Sequence, residues 1–228
     1  MANKNEQETR TAIDDINDTL SGAGQKIQDN KKGIVWASAA IAVVVIAVLG
    51  YVYGIRQPGI NAANEAVGQA DITIMAGNDT LALQQYMQVA DNHGYEAGNR
   101  AKLEAAILLY KNGDYEKAVE YLKNYDQQES LIGAASLSLE GDCYVNMDKL
   151  DEALGCYDKA ISVSDDNAFY TPFFMLKKAN VYRAQKNSAK ELQTYTEIKN
   201  KYPEYANAYR IDIDKYIERA KAEADAVK

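Results

Sequence analysis

The sequence predicts an all-α protein with one membrane-spanning helix near the N-terminus, followed by a solenoid of antiparallel helix pairs. Three observations predict this fold class. Residues 34–55 form an uncharged apolar stretch. Small and aromatic residues recur further along the chain, and aligned alanines at positions 118 and 153 give a period of 153 − 118 = 35 residues. The 228 residues include only three prolines, so helices can continue almost without interruption.

The apolar stretch has the length and the flanks of a transmembrane helix. Its sequence, IVWASAAIAVVVIAVLGYVYGI, would form a helix of about 33 Å, and the hydrocarbon core of a bilayer is about 30 Å thick. Lys31 and Lys32 precede it, Arg56 follows it, and Trp36 and Tyr51 lie near its two ends. Aromatic residues at both ends are typical of the membrane interface.

Other interpretations of this stretch fit less well. A cleaved signal peptide has a short charged head and an apolar run of about 7–15 residues, which is shorter than this one. A buried core helix without a polar face would be unusual in a chain of this size. A lipoprotein anchor needs a cysteine near the run, and the chain's cysteines are Cys143 and Cys156. The sequence therefore favours a signal anchor.

The charged residues beside the span predict its orientation. Lys26, Lys31 and Lys32 precede it, whereas Arg56 is the one basic residue after it until Arg100. The positive-inside rule therefore leaves the N-terminus in the cytoplasm and carries residues 57–228 across the membrane. In a bacterium this would be a single-pass protein of the inner membrane with a periplasmic C-terminal domain.

Composition argues against several functions. The net charge of −8 and the pI near 4.8 make nucleic acid an unlikely partner, because a polyanion would be repelled. One histidine, His93, and two cysteines offer little from which to build a metal site or a catalytic triad. We expect no cofactor and no enzymatic activity.

A repeat is visible in the second half of the chain. Aligning GDYEKAVEYL (113–122) with DKLDEALGCY (148–157) superposes Ala118 on Ala153. The second repeat has an alternation of small and aromatic residues, at Gly141, Tyr144, Ala153, Tyr157 and Ala160. This pattern resembles the tetratricopeptide repeat, and the resemblance implies antiparallel helix pairs that touch where side chains are small, with aromatic residues between them.

The resemblance gives the expected organisation of the chain. We expect a largely disordered cytoplasmic head, the transmembrane helix, a linker with N-terminal capping helices, three tetratricopeptide-like repeats and a C-terminal capping helix, over residues 1–33, 34–55, 56–97, 98–203 and 204–228. Gln57-Pro58-Gly59 is expected to break the helix that leaves the membrane.

The sequence leaves open the environment of Glu191 and the state of the two cysteines. Glu191 lies where the repeat pattern has a buried alanine, so either the third repeat is locally shifted or this position is open to water. Arg219, on the C-terminal helix, is expected on the face exposed to solvent.

Cys143 and Cys156 lie on the two helices of one repeat. A disulfide between them is chemically allowed in an oxidising compartment, and two buried thiols are the default interpretation.

The first helices of the repeats are expected to line a concave groove that binds a peptide or a protein partner. The candidate residues are aromatic, aliphatic, amide-bearing or charged: Arg100, Leu103, Ile107, Tyr110, Asp142, Asn146, Phe173, Asn180 and Arg183, with Ala135 and Ser138 on the same face. The alternative is that these residues only solvate a scaffold.

Over residues 25–125 the chain resembles the YfgM-type ancillary subunits of the bacterial Sec translocon. The segments that carry this resemblance are NKKGIVWASAAIAVVVIAVLGYVYG and YEAGNRAKLEAAILLYKNGDYEKAVEYL. It implies partnership with the translocon and with a membrane-anchored periplasmic chaperone, and a chaperone-like role for unfolded exported chains. The alternative function is an inner-membrane scaffold that organises envelope-assembly or cell-division complexes.

Overall fold

The computed structural model describes residues 21, 28, 30–127 and 129–226. The prediction of a disordered head at residues 1–33 therefore lies almost entirely outside the described residues. The chain divides into two compact units, residues 1–59 and residues 60–228, and each is described by itself.

In the first unit, helix α1 (Lys31–Tyr51) has every side chain exposed. Within the described residues, the helical segment that begins at Lys31 is the one that is long and apolar enough to cross a membrane, as judged by length and composition. Ser38 Oγ, the hydroxyl near the start of α1, donates a hydrogen bond to the carbonyl of Ile34 at 2.8 Å. The single serine hydroxyl of this apolar helix is thus hydrogen-bonded within the helix itself.

The expected break at Gln57-Pro58-Gly59 is wrong, since the chain stays helical from Lys31 to Met75. A π-helical turn (Val52–Arg56) follows α1, and the N–H of Gln57 donates to the carbonyl of Val52. Proline lacks an N–H, and its ring crowds the carbonyl four residues earlier. The wider turn just before Pro58 accommodates both effects, as such turns commonly do inside α-helices.

The described residues from Gln57 onwards contain ten α-helices. They are α2 (Gln57–Met75), α3 (Asp79–Asn92), α4 (Tyr95–Lys111), α5 (Tyr115–Lys123), α6 (Ser130–Asn146), α7 (Leu150–Val163), α8 (Tyr170–Ala184), α9 (Ser188–Lys201), α10 (Pro203–Ala208) and α11 (Ile213–Ala226). From α3 to α9 each helix contacts the next, and α11 packs on α9. The architecture is a stack of helix pairs.

Small residues set the distances between the helices. Ala118, Ala153 and Ala160 are fully buried, as the repeat pattern predicts. At Gly141, a Cβ atom would lie 2.7 Å from Cε1 of Tyr157, so only glycine allows the ring to pack against α6 there. The alternation of small and aromatic residues seen in the sequence is therefore the packing pattern of the core.

Tyrosine hydroxyls join the two helices of several pairs. In each case a tyrosine on the second helix donates to a side-chain oxygen 15 residues earlier: Tyr86 to Asp71 at 2.6 Å, Tyr157 to Asp142 at 2.7 Å, and Tyr195 to Asn180 at 3.3 Å. The pair formed by α2 and α3, expected to be a linker and a cap, thus has the same internal bond as the repeats. In the pair formed by α4 and α5, the corresponding positions are Ile107 and Leu122.

Neither interpretation of Glu191 is correct. Glu191 is 0% exposed, and Nη2 of Arg219 lies 2.6 Å from its Oε1. The expectation that Arg219 faces solvent is wrong for the same reason, since its side chain is 29% exposed and reaches α9 from α11. The guanidinium also lies over the ring of Tyr216, 5.3 Å from the ring centroid. A cation from the C-terminal helix therefore neutralises the carboxylate that replaces the small residue.

Both cysteines are free, buried thiols in the same core cluster. Burial raises the pKa of each from an ordinary value of 9.0 to about 12, and the carboxylates of Asp142 and Glu140 near Cys143 and of Glu140 near Cys156 act in the same direction. The structure therefore agrees with the default interpretation of two buried thiols.

Removing the cation from the buried ion pair should destabilise the fold. Breaking a buried pair by removing one partner costs about 3–5 kcal/mol, and we expect about 3 kcal/mol for Arg219→Met because the arginine is partly exposed. The measurement is urea unfolding of the full chain in detergent, followed by circular dichroism. Lys215→Met, an exposed change on the same helix, should have little effect.

The double variant Glu191→Ala, Arg219→Met separates charge from shape. It removes the unpaired carboxylate and restores the small residue of the repeat pattern, so it should be more stable than Arg219→Met alone. A double variant as unstable as the single one would show that the charge of Glu191 is not the cause.

The cysteine pKa values predict poor thiol reactivity in the folded state. At pH 8 a thiol with a pKa of about 12 is about one part in ten thousand thiolate, and thiolate is the reactive form. We expect iodoacetamide to leave Cys143 and Cys156 unmodified in the native chain and to modify both in concentrated urea, as measured by mass spectrometry. Because the unfolded thiols ionise near 9.0, the stability from this burial should fall as the pH rises above that value. Rapid native alkylation would contradict the assignment.

Candidate functional site

An aromatic cavity of about 490 Å³ opens on the second unit. Its walls come from α6, from α8 with the residue before it, and from α10 with the residue after it. The lining residues, named here as the aromatic cavity, are Ala135, Ser138, Leu139, Asp142, Phe169, Tyr170, Phe173, Phe174, Lys177, Tyr205 and Tyr209. All three phenylalanines of the sequence are among them.

The segment between α7 and α8 positions the first aromatic residues. Asn167 Oδ1 accepts hydrogen bonds from the backbone N–H groups of Phe169 at 3.0 Å and Tyr170 at 3.1 Å. The hydroxyls of Ser164 and Thr171 lie 2.7 Å apart, in a buried hydrogen bond that closes this segment. The segment is thus held on both sides of its turn, and Phe169 is presented at the mouth of the cavity.

The same segment is fixed to the far end of the domain. Asp165 and Asp166 both have positive φ, of 50° and 57°, and Asp166 accepts a hydrogen bond from the hydroxyl of Tyr202. Burial and this bond raise the pKa of Tyr202 to about 12. Tyr202 precedes α10, which contains Tyr205 and ends just before Tyr209. One contact therefore ties together the two segments that face each other across the cavity.

Exposed aromatic rings surround the mouth of the cavity. Phe169, Tyr170, Phe173 and Tyr209 are 48%, 44%, 43% and 59% exposed. Single exposed apolar residues are ordinary on a protein surface, whereas a contiguous group indicates a site of interaction. Phe173 packs edge-on against the buried Phe174, with ring centroids 5.6 Å apart, so the exposed ring is supported from below.

The charged side chains of the cavity neutralise each other. Asp142 accepts hydrogen bonds from Tyr157 at 2.7 Å and from Lys177. Nζ of Lys177 also lies 4.9 Å from the ring centroid of Phe173. Burial, and then the negative charge of Asp142, raise the pKa of Tyr157 well above its usual range, so it stays a neutral donor. The cavity therefore has no net charge in its walls.

Ser138 is the exception to this satisfied set of polar groups. It is 3% exposed, and its Oγ has no hydrogen-bond partner among the described residues. A buried hydroxyl without a partner is unfavourable, and most buried polar side-chain atoms in proteins have one. The cavity lining thus combines an apolar surface with a buried hydroxyl that has no partner among the described residues.

The predicted groove residues divide between this cavity and other places. Asp142 and Phe173 line the cavity, together with Ala135 and Ser138. Leu103 and Tyr110 pack against the core, and the side chains of Arg100 and Asn180 bond Asp71 and Tyr195. The remaining three candidates also lie outside the cavity. Ile107 is half-buried, Asn146 donates to the carbonyl of Asp142, and Arg183 is exposed.

Most residues of the aromatic wall are not among the predicted groove residues. Tyr205 and Tyr209 fall within the predicted C-terminal capping helix, and Phe169 and Tyr170 lie just before the predicted groove position Phe173. A signal was available, because the three phenylalanines of the chain occur within six residues, FYTPFF at 169–174. The described residues contain no group of three or more His, Cys, Asp or Glu side chains that could hold a metal ion.

Comparisons with known proteins agree with the architecture. The profile of a family described as a tetratricopeptide repeat-like domain matches residues 57–183, and a tetratricopeptide repeat profile matches residues 174–205. A small glutamine-rich tetratricopeptide repeat-containing protein of Dictyostelium discoideum is 36% identical over 76 residues, which cover 33% of this chain and 22% of that protein. The match therefore spans about a fifth of the length of that relative.

Solved structures show the same fold at low identity. Two crystal structures of MamA superpose with TM-scores of 0.51 and 0.53 at 16% and 17% identity. The matches cover 69% and 72% of this chain and 95% and 88% of those chains. At these identities the likeness concerns the fold alone. The first family profile begins at α2 and covers more than half of the chain, and the chain therefore belongs to the family of tetratricopeptide repeat-like domain proteins.

Proposed function

We propose that this protein is a membrane-anchored interaction module that binds newly exported polypeptides beside the Sec translocon. Proteins of its repeat family are protein-protein interaction modules, and the aromatic cavity is the observation that supports binding at a defined place. A chain that has just crossed a membrane exposes apolar side chains that will later be buried. A cavity ringed by exposed aromatic residues is suited to hold such a chain for a time.

The anchor in this proposal is α1. Its surface is apolar on every side, and none of its residues is buried by the rest of the chain. A soluble domain seldom leaves so large an apolar surface uncovered, and a bilayer would cover it. Lys31 and Lys32 at the start of the helix support a cytoplasmic N-terminus, and the proposal therefore includes a periplasmic repeat domain in a bacterium.

The translocon as neighbour rests on the resemblance of residues 25–125 to the YfgM-type subunits. A membrane-anchored periplasmic chaperone would be the second partner. The proposed role is binding without catalysis, and no cofactor is part of it. The alternative, a scaffold for envelope-assembly or cell-division complexes, would use the same repeats without contact to unfolded chains.

Site-specific photocrosslinking in native membranes tests this function. A benzoylphenylalanine probe replaces Phe173 at the mouth of the cavity, and a second replaces Tyr51 at the end of α1. We expect the Phe173 probe to form adducts with pulse-labelled exported chains or with a chaperone, and the Tyr51 probe to form adducts with the translocon channel. A probe at Tyr95, which is 41% exposed and outside the cavity, is the matched control.

The adducts distinguish the two functions. Exported chains captured at position 173 in clear excess over position 95 support the proposal. Adducts only with envelope-assembly or cell-division proteins would overturn it in favour of the scaffold. Equal capture of exported chains at both positions would show that the cavity is not the binding site.

A further inference from the structure

We propose that the aromatic cavity selects one uncharged aromatic side chain of an extended polypeptide, and that the hydroxyl of Ser138 donates a hydrogen bond to a backbone carbonyl beside that side chain. This inference rests on the proposed function, since it names the feature of the bound chain that the site recognises. It follows from the shape and chemistry of the walls, from their charge, and from the unused hydroxyl.

The walls favour an aromatic occupant. A volume of about 490 Å³ is within the range of sites that bury a small ligand, and it is large enough for one large side chain with its adjacent backbone. Phe173 and Tyr209 offer exposed rings, and Phe174 and Tyr205 form buried walls. Aromatic rings gain from edge-on or offset contacts with other rings, in addition to the apolar area that they bury. The site therefore favours phenylalanine over an aliphatic side chain of similar size.

The charge balance disfavours a charged occupant. The carboxylate of Asp142 is already engaged by Tyr157 and Lys177, and Lys177 is held in turn over the ring of Phe173. A lysine or glutamate side chain that enters the cavity would lose its hydration, and the oppositely charged residue, Asp142 or Lys177, would already be paired. Discrimination against charged side chains thus comes from the ion pair of Asp142 and Lys177, which is already formed before the ligand binds.

The free hydroxyl provides the polar contact. Ser138 lies on α6 one turn before Asp142 and is among the residues that line the cavity, and its buried Oγ has no partner among the described residues. An extended polypeptide carries an unpaired carbonyl on either side of every side chain. In the proposed complex the Ser138 side chain rotates towards the cavity and its hydroxyl donates to such a carbonyl, which satisfies both groups when the aromatic side chain enters.

The test uses a photoreactive peptide and the full-length protein in nanodiscs. The probe is a decapeptide of glycine and serine with benzoylphenylalanine, itself an uncharged aromatic residue, at its centre. Unlabelled peptides with Phe, Leu, Ala, Glu or Lys at that position compete with it, and mass spectrometry locates the adducts. We expect adducts at residues of the aromatic cavity and competition by the Phe peptide about tenfold or more stronger than by the Ala peptide. The Glu and Lys peptides should compete no better than the Ala peptide.

Two variants test the site itself. Ala135 is exposed and lines the cavity, so Ala135→Trp should fill it and abolish capture without disturbing the core. Ser162→Trp places the same ring at an exposed position on α7 outside the cavity, and it should retain capture. Retained capture in Ala135→Trp would overturn the proposed site, and so would equal competition by the Phe and Lys peptides.

Ser138→Ala separates a ligand-binding role from a structural one. We expect competition by the Phe peptide to weaken about two- to tenfold, as the loss of one hydrogen bond implies. The Tm of the free protein should stay the same or rise, because the variant removes a buried hydroxyl that has no partner. A fall in Tm, or unchanged competition, would overturn the role of Ser138.

The peptide experiment and the membrane experiment fail independently. Selective competition by the Phe peptide, without exported chains crosslinked at position 173 in membranes, would overturn the proposed function and leave the cavity's specificity in place. Exported chains crosslinked at position 173 without preference for the Phe peptide would overturn this inference alone.

Discussion

The carboxylate of Asp142 is the junction on which the cavity depends. It belongs to α6 and accepts hydrogen bonds from Tyr157 on α7 and Lys177 on α8, so three helices meet at one side chain. Hydrogen bonds to a charged group are stronger than those between neutral groups. The junction fixes the spacing of α6 and α8, which form two of the walls, and it removes net charge from the surface between them.

A carboxylate that accepts hydrogen bonds from two other helices recurs along the stack with different partners. Asp71 accepts from Tyr86 on α3 and from Arg100 on α4, which joins α2 to the two helices that follow it. The pair formed by α4 and α5 replaces the polar bond by Ile107 and Leu122. Each pair buries part of its apolar surface against the next, so the stability of such a stack is close to a sum over neighbours. The carboxylates make this packing specific, because each one accepts hydrogen bonds only from donors on the helices next to it.

Much of the regular architecture was predictable from the sequence, and the irregular parts were not. The period of 35 residues and the positions of Gly141, Ala153 and Ala160 follow from short-range patterns, and they locate the pairs from α4 to α9. The pairing of Glu191 with Arg219 depends on how α11 packs on α9, which no local pattern encodes. Likewise, the wide turn before Pro58 absorbs a residue that usually ends a helix. In both cases a distant or neighbouring element compensates for a residue that breaks the local rule.

The candidate site lies where the repeat is least regular, and there is a physical reason for this. A regular repeat matches small residues to large ones, so its inner surface is filled by its own side chains. The segment between α7 and α8 interrupts this matching, so that Phe169 and Tyr170 lie outside the packed core, while Tyr205 on α10 and Tyr209 just after it line the same cavity. Only four of the predicted groove residues, Ala135, Ser138, Asp142 and Phe173, lie at this place, because the prediction used the positions that regular repeats share. The repeats supply a rigid frame, and the departure from the repeat supplies the space for a ligand.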